Sequence, residues 1–113
     1  MTVGDKKFAV KLEDNETTRA FAAQLPFTVQ MEDYLANEKF ATSPEDLPAN
    51  HKKPGRVEVG DIMLYGARTI VLFYKTIDTP YKYTRIGKVT NPEELTEILG
   101  ADKVKVKATF SVR

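Results

Sequence analysis

A chain of 113 residues fits one domain, and a domain of that size buries roughly two-thirds of the surface its unfolded chain exposes, so it needs no disulfide or metal staple. There is no Cys and a single His, His51, which excludes disulfides, thiolate metal sites, Cys nucleophiles and two-His metal motifs. Lys and Arg number 17 against 16 Asp and Glu, and a net charge of +1 is too weak a field to steer nucleic acid or a membrane surface to the protein. In chain order, Phe8, Val10 and Leu12 alternate with Ala9 and Lys11 as a half-buried strand. Asn15 then caps a helix over residues 16–24, with Phe21 and Leu25 one turn apart on its core side, and Pro26 stops it.

Phe27, Val29 and Met31 alternate with Thr28, Gln30 and Glu32, a strand with one wet face. Residues 38–41 form a short third strand. Residues 42–56 are punctuated by Pro44, Pro48, Pro54 and Gly55 and read as a long loop, of a length that is often functional or mobile. Val57 and Val59 return to the sheet. Residues 60–76 then read as two strands joined by a short polar turn at 65–69. The second of these, residues 70–74, is apolar on both faces, so something must cover both sides of it. In so short a chain that implies a closed barrel or a tight sandwich. A loop around Thr79 and Pro80 leads into a strand over 83–89. Asn91, Pro92 and Glu94 carry the cap, first-turn and capping-box residues of a second helix with Leu95, Ile98 and Leu99 as its stripe and Gly100 as its stop. Last, Val104, Val106, Ala108, Phe110 and Val112 form the core face of a strand whose other face, with Lys103, Lys105, Lys107 and Arg113, discourages edge association. With about seven or eight strands and two short helices, the expected fold is mainly β, one closed barrel with helices at its ends.

No apolar run approaches the roughly 20 residues of a membrane span. Residues 1–7 are polar and carry no signal-peptide core, which fits a cytoplasmic protein and equally the mature form of an exported one. No Gly-rich phosphate loop or nucleophile elbow occurs, and no cofactor or metal is expected.

The candidate ligand-binding residues are Tyr65, Tyr81, Tyr83 and Arg85. If the odd residues of the 83–89 strand face a groove, Tyr81, Tyr83 and Arg85 share that face, and Tyr65 at a strand end lines a barrel mouth. Tyrosine and arginine both offer flat contact with a polar tip; the competing reading is a solvated face with an Arg packed on Tyr. Arg68 reads as an exposed turn residue. Glu32, Asp33 and Glu38 lie near Tyr34 and would suit acid–base chemistry only if one were buried, so they read as a solvated loop. Gly60 reads as a residue with positive φ and Asp61 as a turn cap, both structural.

The residues Leu12 to Asn15, Leu25 and Pro26, Met31 to Tyr34, Glu38 and Lys39, Gly60 to Ile62, Leu72 to Thr76 and Ile86 to Val89 together resemble the small bacterial cyclophilin-like domains, in order across residues 8–110. The resemblance implies a cyclophilin-like barrel capped by two helices. Cyclophilins proper are peptidyl-prolyl isomerases, in which an Arg donor over an apolar proline pocket weakens amide resonance behind a barrier of about 18–20 kcal/mol. The segment in which that Arg precedes Phe and Gln-Gly-Gly is missing here, there is no Trp, and His51 sits in the proline-rich loop. The expected function is therefore a non-catalytic module for a peptide or small-molecule ligand, with a divergent isomerase as the alternative. An oligonucleotide binder is a third reading, disfavoured by the near-neutral charge.

Overall fold

The computed structural model describes residues 1–100 and 104–112. Within them the chain runs β1 (Thr2–Val3), β2 (Lys6–Lys7), β3 (Val10–Leu12), α1 (Glu16–Ala23), β4 (Phe27–Tyr34), β5 (Glu38–Thr42), β6 (Arg56–Val57), β7 (Asp61–Tyr65), β8 (Thr69–Phe73), β9 (Ile77–Asp78), β10 (Thr84–Val89), a 3-10 turn (Pro92–Glu94), α2 (Leu95–Leu99) and β11 (Lys105–Phe110). Nine strands make one antiparallel sheet in the order β2-β1-β11-β4-β5-β8-β7-β10-β3, and β6 pairs with β9 in a separate two-stranded sheet.

The expected closed barrel is therefore wrong: the sheet is curled but open. Its edges, β2 and β3, stand 10 Å apart, about twice the spacing of paired strands. The reason is local. The two edges are consecutive in sequence and joined only by Phe8 and Ala9, so the chain itself crosses the gap nearly extended. Phe8 is buried in the inner core there. The Ala9 carbonyl accepts from Thr90 N–H at 2.9 Å, and its N–H donates to Asn91 Oδ1 at 3.3 Å. β3 approaches β10 closely because Gly87 has no side chain; a Cβ there would meet the Lys11 carbonyl at 2.6 Å.

The premise behind the barrel was sound. Residues 70–74 are buried throughout. Ile70, Leu72 and Tyr74 point into the main core with Met31, Ile62, Leu64, Ile86, Leu95 and Leu99. Val71 and Phe73 point the other way into a second core with Val57, Met63 and Tyr83. The outer cover thus comes from the β6–β9 pair and the residues after it, and no closure is required.

The helices serve the inner core. Asn15 caps α1 as expected, accepting from Thr18 N–H at 2.7 Å, and the Thr18 hydroxyl donates to the Ile86 carbonyl at 3.0 Å. Phe21 meets Phe27 and Phe110 edge-on at 5.6 and 5.3 Å. Asn91 departs from expectation. Its side chain makes no cap bond, the segment opens as a 3-10 turn, and Glu94 pairs with Lys6 at 2.6 Å instead of reaching back. Val104 and Val112 are exposed and lie just outside the last strand, Lys105–Phe110. Lys103 and Arg113 lie outside the described residues. Gly60 has φ +96°, and Asp61 Oδ2 accepts from Glu58 N–H at 2.8 Å, as expected of a structural pair.

If the outer core is a true second core, Phe73→Ala should cost what a buried Phe costs, about 3–5 kcal/mol, read as a lowered urea midpoint. A loss below about 1 kcal/mol would mean that the outer face of β8 is only loosely covered.

Candidate functional site

Beside the outer core the sheet carries a groove of about 320 Å³, lined by Tyr34, Glu38, Phe40, Tyr65, Thr69, Val71, Tyr81 and Tyr83. Period-two alternation puts these residues on one face. Tyr34 of β4 lies opposite Glu38 of β5, Phe40 opposite Val71 of β8, and Tyr65 of β7 opposite Thr69. Tyr81 and Tyr83 arrive from the segment between β9 and β10. Tyr83 is the floor, 6% exposed, and packs edge-on against Phe73 at 5.6 Å. Tyr34, Tyr65 and Tyr81 are 44–48% exposed and form the walls. Tyr65 stands at 87° to Tyr81 with centroids 6.1 Å apart, and Tyr34 at 86° to Phe40 at 6.3 Å.

The β4–β5 hairpin sets this register. Its central residues, Leu35 and Ala36, have φ of +55° and +58°, a left-handed pair that non-Gly residues adopt at a cost. The turn is held by Asn37 N–H to the Tyr34 carbonyl at 3.1 Å and by Ala36 N–H to Asp33 Oδ2 at 3.1 Å.

Two carboxylates on this hairpin have opposite fates. Asp33 points inward, where Lys39 Nζ donates to its Oδ1 at 2.9 Å and the Tyr74 hydroxyl donates to the same oxygen. Burial alone would raise its pKa, but Tyr74, Lys39 and the Ala36 N–H outweigh burial and hold it below the ordinary value. The Lys39 side chain is fully buried, with its Nζ 5.1 Å from the Tyr74 ring centroid. Glu38, one residue earlier, points outward and is 9% exposed. Burial, with the Asp33 charge adding to it, pushes its pKa up to about 7. No hydrogen bond to its carboxylate occurs among the described residues, yet neither oxygen is sealed from the groove. The expected acidic loop is thus wrong, because all three residues sit on strands: Glu38 is buried, Asp33 is half-buried and Glu32 is exposed. Burial also raises the Tyr83 pKa, with Thr79 opposing it and Glu38, Tyr65 and Tyr81 adding to it.

A second groove of about 600 Å³ adjoins the first across Tyr83 and is lined by Met63, Arg85, Asn15, Thr17 and the loop around Pro48 to Pro54. Arg85 belongs here. Its Nη1 lies 3.7 Å from Asp61 Oδ2, and its side chain is about half exposed. His51 pins the proline-rich loop: the Gly66 carbonyl can only accept, so Nε2 donates to it at 2.9 Å, and Nδ1 takes the Thr84 hydroxyl at 2.8 Å. Arg68 does more than face solvent; it donates to the carbonyls of Ser43 at 2.8 Å and Pro44, tying the same loop to the β7–β8 turn.

Of the four candidate residues, the structure brings Tyr65, Tyr81 and Tyr83 together and leaves Arg85 in the neighbouring groove. Tyr34, Phe40 and Glu38 were missed as members. The signal was present in the alternation of Tyr34 with Asp33, and of Glu38 and Phe40 with Lys39, but only the hairpin register brings the two strands face to face.

The family model of the cyclophilin-like family matches residues 1–111. The chain belongs to that family. No curated protein and no solved structure matches it. Among the described residues of this cyclophilin-like domain no cluster of three His, Asp or Glu could hold a metal ion. No described helix is long and apolar enough to cross a membrane.

Glu38 gives a pH test with a definite sign. Its folded pKa lies above the ordinary 4.5, so between that value and about 7 the folded state keeps a proton that the unfolded state has released. Its contribution to stability is full below pH 4.5 and falls as pH rises to about 7. Asp33 titrates below this window and does not mask it. Glu38→Gln lacks the slope, so its urea midpoint should rise relative to the native protein as pH goes from about 5 to about 8. Parallel curves would place Glu38 in ordinary solvent.

Proposed function

We propose that this cyclophilin-like domain is a non-catalytic binding module that holds a small ligand in the tyrosine groove. One observation carries the reading: aromatic side chains from β4, β5, β7 and the segment after β9 converge on one concave surface whose walls remain half exposed. Tyrosines supply contact area and a polar tip at low entropic cost. The volume lies at the lower end of ligand sites, which run from about 300 to 1,000 Å³. Nucleic acid fits poorly, since the described lining holds a carboxylate and no Lys or Arg.

A fragment titration followed by amide shifts tests this. We expect perturbations to cluster at Tyr34, Tyr65, Tyr81 and Tyr83. Tyr81→Ala should weaken the best fragment by about three- to tenfold, the scale of one aromatic contact, and should change stability by no more than about 0.5 kcal/mol. Shifts scattered over the surface, or confined to the Arg85 groove, would remove the assignment.

One observation favours the isomerase alternative. Arg85 is a half-exposed guanidinium beside Met63 and Tyr83 in the larger groove, the pairing of a donor with apolar surface that prolyl rotation needs. The missing cyclophilin residues and the neighbouring Asp61 carboxylate weigh against it. In a prolyl-peptide assay we expect no acceleration at high protein concentration. Acceleration that disappears in Arg85→Ala would move the function to that groove.

A further inference from the structure

The tyrosine groove has a chemistry more specific than that of an apolar slot. Five aromatic rings and one carboxylate line it, with no Lys, Arg or His among the described lining residues. Two ring pairs are set as corners, Tyr65 with Tyr81 and Tyr34 with Phe40 meeting at close to right angles, while Tyr65 and Tyr83 are tilted at 56°. A planar guest needs parallel walls. Perpendicular walls suit a rounded head better than a flat one, and an aromatic face carries the negative side of the ring quadrupole.

The carboxylate points the same way. Neighbouring residues on β5 face opposite sides of the sheet. Lys39 therefore turns inward and is taken by Asp33 at 2.9 Å, which leaves Glu38 in the groove with no ion pair among the described residues. Burying a carboxylate without a partner is costly. Among the described residues no positive charge meets it, and a cationic guest in the groove would supply one.

We propose that the groove recognises a small organic ammonium ion, with the alkylated nitrogen among the tyrosine rings and Glu38 as its counter-ion. This rests on the reading of the groove as a ligand site and adds the charge and shape of the ligand. Burial and the Asp33 charge raise the Glu38 pKa, and an ammonium ion beside the carboxylate would lower it again.

The test compares choline with its uncharged isostere, in which a tert-butyl group replaces the trimethylammonium head. Both are titrated at about pH 8 and followed by the groove amides. Choline should bind at least about tenfold more tightly, because shape is matched and only charge differs. Glu38→Gln should remove most of that preference while leaving the isostere's affinity unchanged. Tyr81→Ala, which keeps Glu38, should weaken choline as well. Equal affinity for the two probes overturns the proposal and leaves the ligand groove standing. If neither probe binds, the proposal also fails, and the fragment titration decides the parent reading: shifts at the tyrosines would keep it, and a silent groove would remove both.

Discussion

A strand buried on both faces in the middle of an open sheet is the constraint on which the rest of this structure depends. β8 presents Ile70 and Leu72 to one side and Val71 and Phe73 to the other, all buried. Each such side chain contributes about 1.5–3 kcal/mol when removed from water. The concave side is filled by the helices and the curl of the sheet. The convex side has no second layer of comparable size, so a two-residue pair, β6 with β9, and the loops around it must cover it. That cover is small. It ends at Tyr83, and beyond its margin the aromatic side chains of β4, β5 and β7 stand half exposed. The groove is the place where the outer core runs out of covering chain.

The same alternation distributes charge. Along β5, Glu38 faces out, Lys39 faces in and Phe40 faces out. The inward lysine is fully buried and paired with Asp33, an arrangement whose loss of one partner would strand a buried charge. The outward glutamate is buried by aromatic neighbours and has no ion-pair partner among the described residues. A one-residue slip of β5 would exchange the two, placing the ammonium among the tyrosines and the carboxylate beside Asp33. The left-handed turn at Leu35 and Ala36 prevents this by fixing Tyr34 opposite Glu38. Backbone strain at the hairpin therefore keeps a negative group in the groove.

Much of this was legible in the chain. The Asn15 cap, the stop at Pro26, the 27–32 alternation, the 60–74 hairpin with Gly60 at positive φ, and the doubly apolar 70–74 strand all follow from local rules. Tyr65, Tyr81 and Tyr83 were identifiable as aromatic residues at strand ends. What failed was non-local. Leu35 and Ala36 lack the Asn-Gly or Gly-Gly chemistry that announces a left-handed turn, so the register that buries Glu38 could not be read. Asn91 has the residues of a cap, but its carboxamide is drawn to the Ala9 N–H crossing the gap between the sheet edges.

Amino-acid order alone determined where strands and helices form, that β8 needs cover on both sides, and that the chain belongs with cyclophilin-like domains, because these depend on periodicity, caps and short motifs. Tertiary structure alone decided that the sheet stays open, that the second cover is the β6–β9 pair, and that Tyr34, Glu38 and Phe40 join three distant tyrosines while Arg85 does not. The physical reason is that apolar periodicity states how much surface must be buried but not which segment buries it. Edge pairing, turn handedness and counter-charge are settled only when segments far apart in the chain meet.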